Sequence, residues 1–477
     1  MRQASFPAFL ALSPLAFILA GCATVDPPEL PKMAVPASFH HGADWTTATP
    51  ADALDRGDWW HAFGDPVLDG LMVKVDTTTP TLAAALARYD QALANAREAG
   101  GQQYPTLNAQ GSASRERLSA GRPIGPGNPV TANQFIVGGS LSYELDLWGR
   151  VRNSVRAAQE DAEAEAANLR SARLSLQAMV ADLYIRLRGI EAEQQLLDQT
   201  VSAYERAHQL IVTRHDGGIA SGVDVSRSQT QLSSVAARAE ALKADHAQVE
   251  HQLAVLIGEM PSTFSVPPQE RLSALPAFPS GLPAELLQRR PDIAAAQRRL
   301  AAANARIGVA RAAFFPDITL GLTGGYQATG APIISAPTSF WGLGPLSAVL
   351  NLFDGGRRKA RLALSKAQYE ELAANYRGTV LGAFQETEDA LARIDALYRQ
   401  NIRQQEAATA AKRTEDLALD RYRDGAADYL EVTTAQTASL AAQQDNIRVS
   451  VDQRRAAIAL VRAIGGGTDT PLQAALP

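Results

Sequence analysis

Two stretches of this chain alternate apolar and polar residues with a period of two. In the first, Leu141, Tyr143, Leu145 and Leu147 fall on one side and Ser142, Glu144 and Asp146 on the other. In the second, Leu346, Ala348, Leu350 and Leu352 alternate with Ser347, Val349 and Asn351. Each follows a Gly/Pro-rich loop and an earlier short segment beginning at Tyr104 or Phe315. The pattern predicts two β-hairpins, at about 105–148 and about 316–353. Segments near ten residues with one apolar and one polar face are what a membrane β-barrel requires. A half-buried sheet in a soluble protein would show the same alternation.

After each hairpin the chain changes character. No proline occurs between Pro129 and Pro261, or from Leu346 to Thr470. Val151 to Arg214 and Arg357 to Arg423 are rich in Ala, Arg, Glu, Gln and Leu, and each predicts about 100 Å of helix. The first ends in a turn from His215 to Gly222 and returns as a helix from Val223 to Ile257. The second ends at Asp424–Asp428 and returns from Tyr429 to Ile464. Shorter helices are predicted after Asp65, where Pro66 can open one, from Pro80 to Gly100, and from Ala284 to Phe314.

The chain therefore reads as one plan written twice, 58–260 and 284–464, joined by a Pro-rich linker at 261–283 and ending in a flexible tail at 465–477. The repeat is visible in the letters. At an offset of 207, Arg214, Gly218, Ala220, Val225, Gln229 and Thr230 match Arg421, Gly425, Ala427, Val432, Gln436 and Thr437. A period near 200 is a duplicated half and not a solenoid.

The N-terminus adds a destination. Arg2 and the apolar run from Phe9 to Ala20 form a secretory signal, too short to span a membrane. Leu19-Ala20-Gly21-Cys22 resembles a bacterial lipobox, so 1–21 would be removed and Cys22 acylated. The lone cysteine excludes an intrachain disulfide. Ala23 lacks the aspartate that resembles an inner-membrane retention signal, which favours the outer membrane. Residues 22–57 read as an extended tether. No later window reaches eighteen apolar residues, so any spanning must be done by strands.

Composition excludes more than it selects. The net charge is only -5 over 477 residues, with no basic block, which argues against nucleic acid. The seven histidines, His40, His41, His61, His208, His215, His246 and His251, show no metal-ligand spacing. No nucleophile triad, phosphate loop or carboxylate cleft is evident, so neither an enzyme nor a cofactor is expected.

Four strands cannot close a barrel, and open edges do not survive in lipid. Two chains would supply eight strands, which pack shut; three would supply twelve, which leave a lumen. The pattern argues for a homotrimeric conduit continued by a helical tube.

The stretch from Leu286-Leu287-Gln288-Arg289-Arg290-Pro291-Asp292-Ile293, through Leu300 to Phe315-Pro316, resembles the signature of outer-membrane efflux lipoproteins, the NodT-type branch of the TolC-like family. Trp59-Trp60 through Asp65-Pro66 and the segment from Tyr143 to Arg150 are similar to its other motifs. The resemblance implies a mainly α fold with a twelve-stranded barrel completed by a trimer, set on an α-barrel of long periplasmic hairpins. It implies docking with a periplasmic adaptor and an inner-membrane RND-type pump, and a passive exit duct for drugs and other small molecules. Secreted protein or metal ions are the alternative cargo, and a non-conducting envelope lipoprotein is the alternative role.

The resemblance also places a gate at the periplasmic tip. Tyr422 matches a gate-bond tyrosine, and Leu430 and Glu431 match the apolar and acidic positions beyond the turn. Thr434 stands where an aspartate is frequent and Ala427 where some members have arginine. Asp224 lies opposite Glu431 in the repeat, and Arg214 opposite Arg421, while Asp428 closes the second turn. Rings of like carboxylates in a narrow lumen would raise one another's pKa and attract cations. The turns holding Gly218, Gly222 and Gly425 would meet the adaptor. The plainer alternative is that Asp224, Asp428 and Glu431 cap helices or face water, and that the glycines only end helices.

Overall fold

The computed structural model describes residues 58–121, 127–269, 272–276 and 290–466. The signal, Cys22, the tether, the tail beyond 466, residues 270–271 and 277–283 of the linker and the start of the expected helix at Ala284 lie outside the described residues. The element order is a short 3-10 turn (Trp59–Phe63), α1 (Pro66–Thr78), α2 (Pro80–Gly101), β1 (Thr106–Leu118), β2 (Val130–Glu144), α3 (Arg150–Asp216) and α4 (Gly222–Ile257). Then follow α5 (Pro291–Ala312), β3 (Asp317–Ala328), β4 (Ser339–Val349), α6 (Arg357–Arg423) and α7 (Tyr429–Ala463). The series helix, hairpin, long helix, returning helix thus occurs twice, and α3 and α6 each have 67 residues. No described helix is long and apolar enough to cross a membrane.

The chain divides into two units. One holds the sheet with Asp90–Glu165 and Ala296–Tyr376. Its four strands pair in sequence order and are all antiparallel, which leaves β1 and β4 as free edges. The register sorts most of the side chains between two faces. One face carries Leu107, Val137, Leu141, Leu322, Trp341, Leu343 and Leu346; the other carries Asn108, Gln110, Ser112, Ser140, Thr319, Thr323 and Ser347. Trp341 is 82% exposed, so the apolar face is bare. Pro345, which has no N–H to give, sits at a bulge on the edge strand β4. A Cβ on Gly325 would lie 2.4 Å from the Cα of Gly138, its cross-strand partner, so the two strands fold together there in a way only glycine permits.

The strands stop earlier than the alternation suggests. β2 ends at Glu144 and β4 at Val349, so Leu145, Leu147, Leu350 and Leu352 are not strand residues. The cause is local. Glu144 turns to grip Arg150 through two bonds of 2.7 and 2.5 Å. Asp146 accepts from the backbone N–H groups of Val151 and Arg152 and so satisfies orphan donors at the start of α3. Asp354 does the same for Gly356 and Arg358 at the start of α6. The Trp148 ring stacks on Phe315 at 4.7 Å and donates its indole N–H to the Pro316 carbonyl. Arg298, Arg299 and Arg306 of α5 pair with Glu163, Glu165 and Asp161 of α3.

The second unit contains the larger core. Trp59, Trp60 and Phe63 pack with Leu68, Met72 and Val75 of α1, Tyr184 and Ile185 of α3, Leu253 of α4 and Ile458 of α7. Asp65, 1% exposed, caps α1 at Val67 and accepts from the Tyr184 hydroxyl (2.6 Å) and the Ser273 hydroxyl (2.7 Å). Burial pushes the Tyr184 hydroxyl well above its usual pKa, so it stays a donor. Arg290 explains part of the Arg-Pro-Asp signature. It pairs with Asp292 and Glu386 and donates to the Ala463 carbonyl at the C-terminus of α7. Helix α5 begins directly after it at Pro291, and Phe314 lies beyond its end at Ala312.

Replacing Asp65 strands the buried Ser273 hydroxyl, leaves Tyr184 only its longer bond to Gln269, and removes a cap. Asp65→Ala is expected to cost about 3 kcal/mol, and Asp65→Asn about half of that. Thermal unfolding of the detergent-solubilised protein reads the difference.

Candidate functional site

The site is built from two turns of the same grammar. Helix α3 ends with the Arg214 carbonyl accepting from Ile219 and Ala220. Gly218, at φ +80, supplies the left-handed residue such an ending needs. Helix α4 then starts with a capping box: Ser221 accepts from the Asp224 N–H, and Asp224 accepts from the Ser221 N–H at 3.2 Å. Helix α6 ends with Arg421 accepting from Ala426, through Gly425 at φ +75, and Asp428 caps α7 by accepting from Glu431 at 2.9 Å. Asp224 and Asp428 therefore both act as helix caps. Gly222 is the first residue of α4, with room for a side chain.

Between the turns lies a small core of Ile211, Ala418, Tyr422, Tyr429, Val432 and Ala435. The rings of Tyr422 and Tyr429 meet edge-on at 5.4 Å. Arg214 crosses from the first hairpin to the second. Its guanidinium lies 5.1 Å over the Tyr422 ring and donates to the Tyr422 carbonyl at 2.8 Å and the Arg423 carbonyl at 2.5 Å. Those carbonyls close α6, where the helix dipole favours a cation. Arg421, its counterpart in the repeat, stays within its own hairpin. It pairs with Glu431 at 2.5 Å and reaches the Ala426 carbonyl.

The residues singled out in the sequence thus sort by partner. Arg214 and Tyr422 come together, as do Arg421 and Glu431. Leu430 is half exposed, with no place in the small core. Thr434 spends its hydroxyl on the Leu430 carbonyl, and Ala427 is half buried in the turn. Leu430 and Thr434 line an open groove of about 1010 Å³ with Gly222, Val223 and Arg227 of α4. Sequence reasoning passed over Tyr429 and Ile211. The available signal was a tyrosine seven residues after Tyr422, in a chain whose aromatic content is 6%. Gln231 was also missed; its amide donates to the Thr437 hydroxyl and ties α4 to α7.

Burial, then Tyr422 and Asp224 beside it, push the Tyr429 hydroxyl up to about 12. Burial and Asp224 also raise Tyr422, against the pull of Arg214. A folded pKa above the unfolded one means that the folded state holds its protons longer. The stabilisation is complete below pH about 10 and is lost as pH rises through about 12. Tyrosinate absorbance should therefore show Tyr429 titrating near pH 12. Tyr422→Ala, which opens the pocket, should bring that titration down toward 10.

Set beside known proteins, the chain matches the outer membrane efflux protein family over residues 73–259 and 282–466. It is 33% identical to the pyoverdine export outer membrane protein OpmQ of Pseudomonas aeruginosa, over 97% of this chain and 98% of that one. It is 32% identical to the toluene efflux pump outer membrane protein TtgC of Pseudomonas putida, over 96% and 95%. Among solved structures, the outer-membrane channel OprN is similar with a TM-score of 0.83 and 30% identity, over 92% of this chain and 99% of that one. With half-length matches on both sides of the linker, and relatives aligned nearly end to end, this chain belongs to the outer membrane efflux protein family.

Proposed function

We propose that the chain is one third of an outer-membrane exit duct, closed at the far end of its helical hairpins and opened there by a periplasmic adaptor. The observation that carries this is the sheet. It bares an apolar face, keeps a polar one, and has both edges unpaired. In lipid such a sheet must be completed by copies of itself. Three copies give twelve strands, with the apolar faces toward lipid and the polar faces around a water-filled lumen. The anchor is an acylated Cys22. The cargo is small organic molecules chosen by an inner-membrane RND-type pump, in keeping with relatives named for pyoverdine and toluene export.

The gate is an iris held within each protomer. Arg214 ties the first hairpin to the carbonyl end of α6, and Arg421–Glu431 stiffens the second turn. Opening separates the two hairpins of one chain, so the Arg214 bonds must break. The adaptor meets the turns at Gly218, Gly222 and Gly425 and the groove between α4 and α7. Asp224 and Asp428 keep their charge but are held in place by the backbone N–H groups they cap. Thr434 leaves Glu431 as the acidic position on α7 in this region, and Arg421 neutralises it.

Ion conductance in planar bilayers tests the duct. The wild type should open rarely. Arg214→Ala, losing charge-assisted bonds worth about 1.5 kcal/mol, should raise open probability roughly tenfold. Glu431→Ala should act less, because Arg421 and Glu431 are half exposed and screened. An absence of conductance in all three would sink the reading. Separately, Cys22→Ser should abolish incorporation of labelled palmitate and leave conductance intact.

A further inference from the structure

The outer face of the sheet changes character along its height. Moving away from the strand–helix junctions, the rows read Leu107–Leu141–Leu322–Leu343, then Ala109–Gly139–Gly324–Trp341, then Gly111–Val137–Tyr326–Ser339, then Ala113–Phe135–Ala328. An apolar band thus gives way to rows that carry Trp341, Tyr326 and Phe135. The next two rows are Arg115–Asn133 and Arg117–Thr131. All four residues are exposed. β1 pairs with β2 without a register shift, so both arginines share the face of Leu107, while Glu116 points to the other face.

We propose that Arg115 and Arg117, with Asn133 and Thr131 opposite, hold the phosphate of an outer-leaflet lipid headgroup; the proposal rests on the barrel reading above. The four side chains offer donors, and none carries a negative charge. Two arginines two positions apart on a strand stand about 7 Å apart, within reach of one phosphate. Guanidinium binds phosphate bidentately. A guanidinium on the lipid face is costly at the midplane and tolerated at the interface, which sets the pair at headgroup depth, directly beyond the aromatic rows. The free edge of β1 does not offer an alternative partner. In a closed barrel its neighbour is β4 of another copy, and the hairpin from Ile318 to Phe353 contains no charged residue at all. The positive charge of these rows is therefore left for the membrane.

The test uses the full-length trimer in detergent, titrated with lipid A and with dephosphorylated lipid A, and bound lipid is counted by native mass spectrometry. The wild type should prefer the phosphorylated form. Arg115→Gln with Arg117→Gln should erase that preference, at about fivefold in affinity per arginine, the equivalent of about 1 kcal/mol each. Arg115→Lys with Arg117→Lys should keep part of it, and Glu116→Gln, on the other face, all of it. Equal preference in wild type and the double glutamine variant overturns the proposal. Planar-bilayer conductance of the same samples separates the two levels. Conducting protein with unchanged lipid preference removes this site alone, whereas no conductance in any sample removes the barrel reading and this site with it.

Discussion

Every backbone N–H and C=O placed in hydrocarbon must be paired, because lipid offers no substitute for water. In the proposed barrel that constraint falls on the two edges of one sheet. The inner strands β2 and β3 are paired on both sides, while β1 and β4 each present a row of free groups. Soluble proteins blunt such edges with charge, proline or a covering helix. Here Pro345 interrupts β4 at a single bulge, and the apolar face beside it is bare. In the proposed barrel such a sheet is completed by further copies of itself. The close approach at Gly138 and Gly325 would suit the proposed cylinder, whose curved wall needs points where strands fold together without side chains between them.

The long helices face a related problem at their ends, and the chain solves it the same way at four places. A carboxylate or hydroxyl supplied from just outside the helix satisfies the first orphan N–H groups: Asp146 for α3, Ser221 for α4, Asp354 for α6 and Asp428 for α7. At the strand-to-helix junctions this turns the backbone sharply without a gap in pairing. At the hairpin turns it permits very short connections, so that the C-terminal carbonyls of α6 stand within reach of Arg214. The caps and the crossing bond are one system: the tight turns position the acceptors, and the arginine uses them.

Much of this was legible in the letters. Helix α6 begins and ends at the residues read from composition and turn chemistry, because the Gly355-Gly356 and Asp424-Gly425 breaks leave no other choice. The turns holding Gly218 and Gly425 read as helix endings as well as adaptor contacts, and both glycines adopt the left-handed conformation that an ending needs. The overreach at Leu145, Leu147, Leu350 and Leu352 has a definite source. Alternation reports which side chains are apolar, whereas the strand ends where Glu144 and Asp146 find better partners in the following helix. The pairing of Arg214 was out of reach for a different reason. Its acceptors are carbonyls, which every residue possesses, so no letter marks them. Tyr429 was hidden likewise, since its burial depends on Tyr422 arriving from the other side of a turn.

The repeat also explains why the two tip arginines do different work. Arg214 and Arg421 occupy matching positions, yet a bond between the hairpins can run only one way across their shared seam. Arg214 reaches the helix end opposite, where bare carbonyls and a negative dipole already wait. Arg421 has no such end in front of it and takes a side-chain carboxylate, Glu431, from its own hairpin. A bond to backbone carbonyls cannot be lost by substitution of the acceptor, and it carries no titratable partner, so neither drift at Tyr422 or Arg423 nor ordinary changes in pH remove it. A bond between two exposed side chains is lost by a single substitution and weakened by salt. Two arginines at matching positions thus meet different surroundings, and asymmetric packing makes one of them the durable tie.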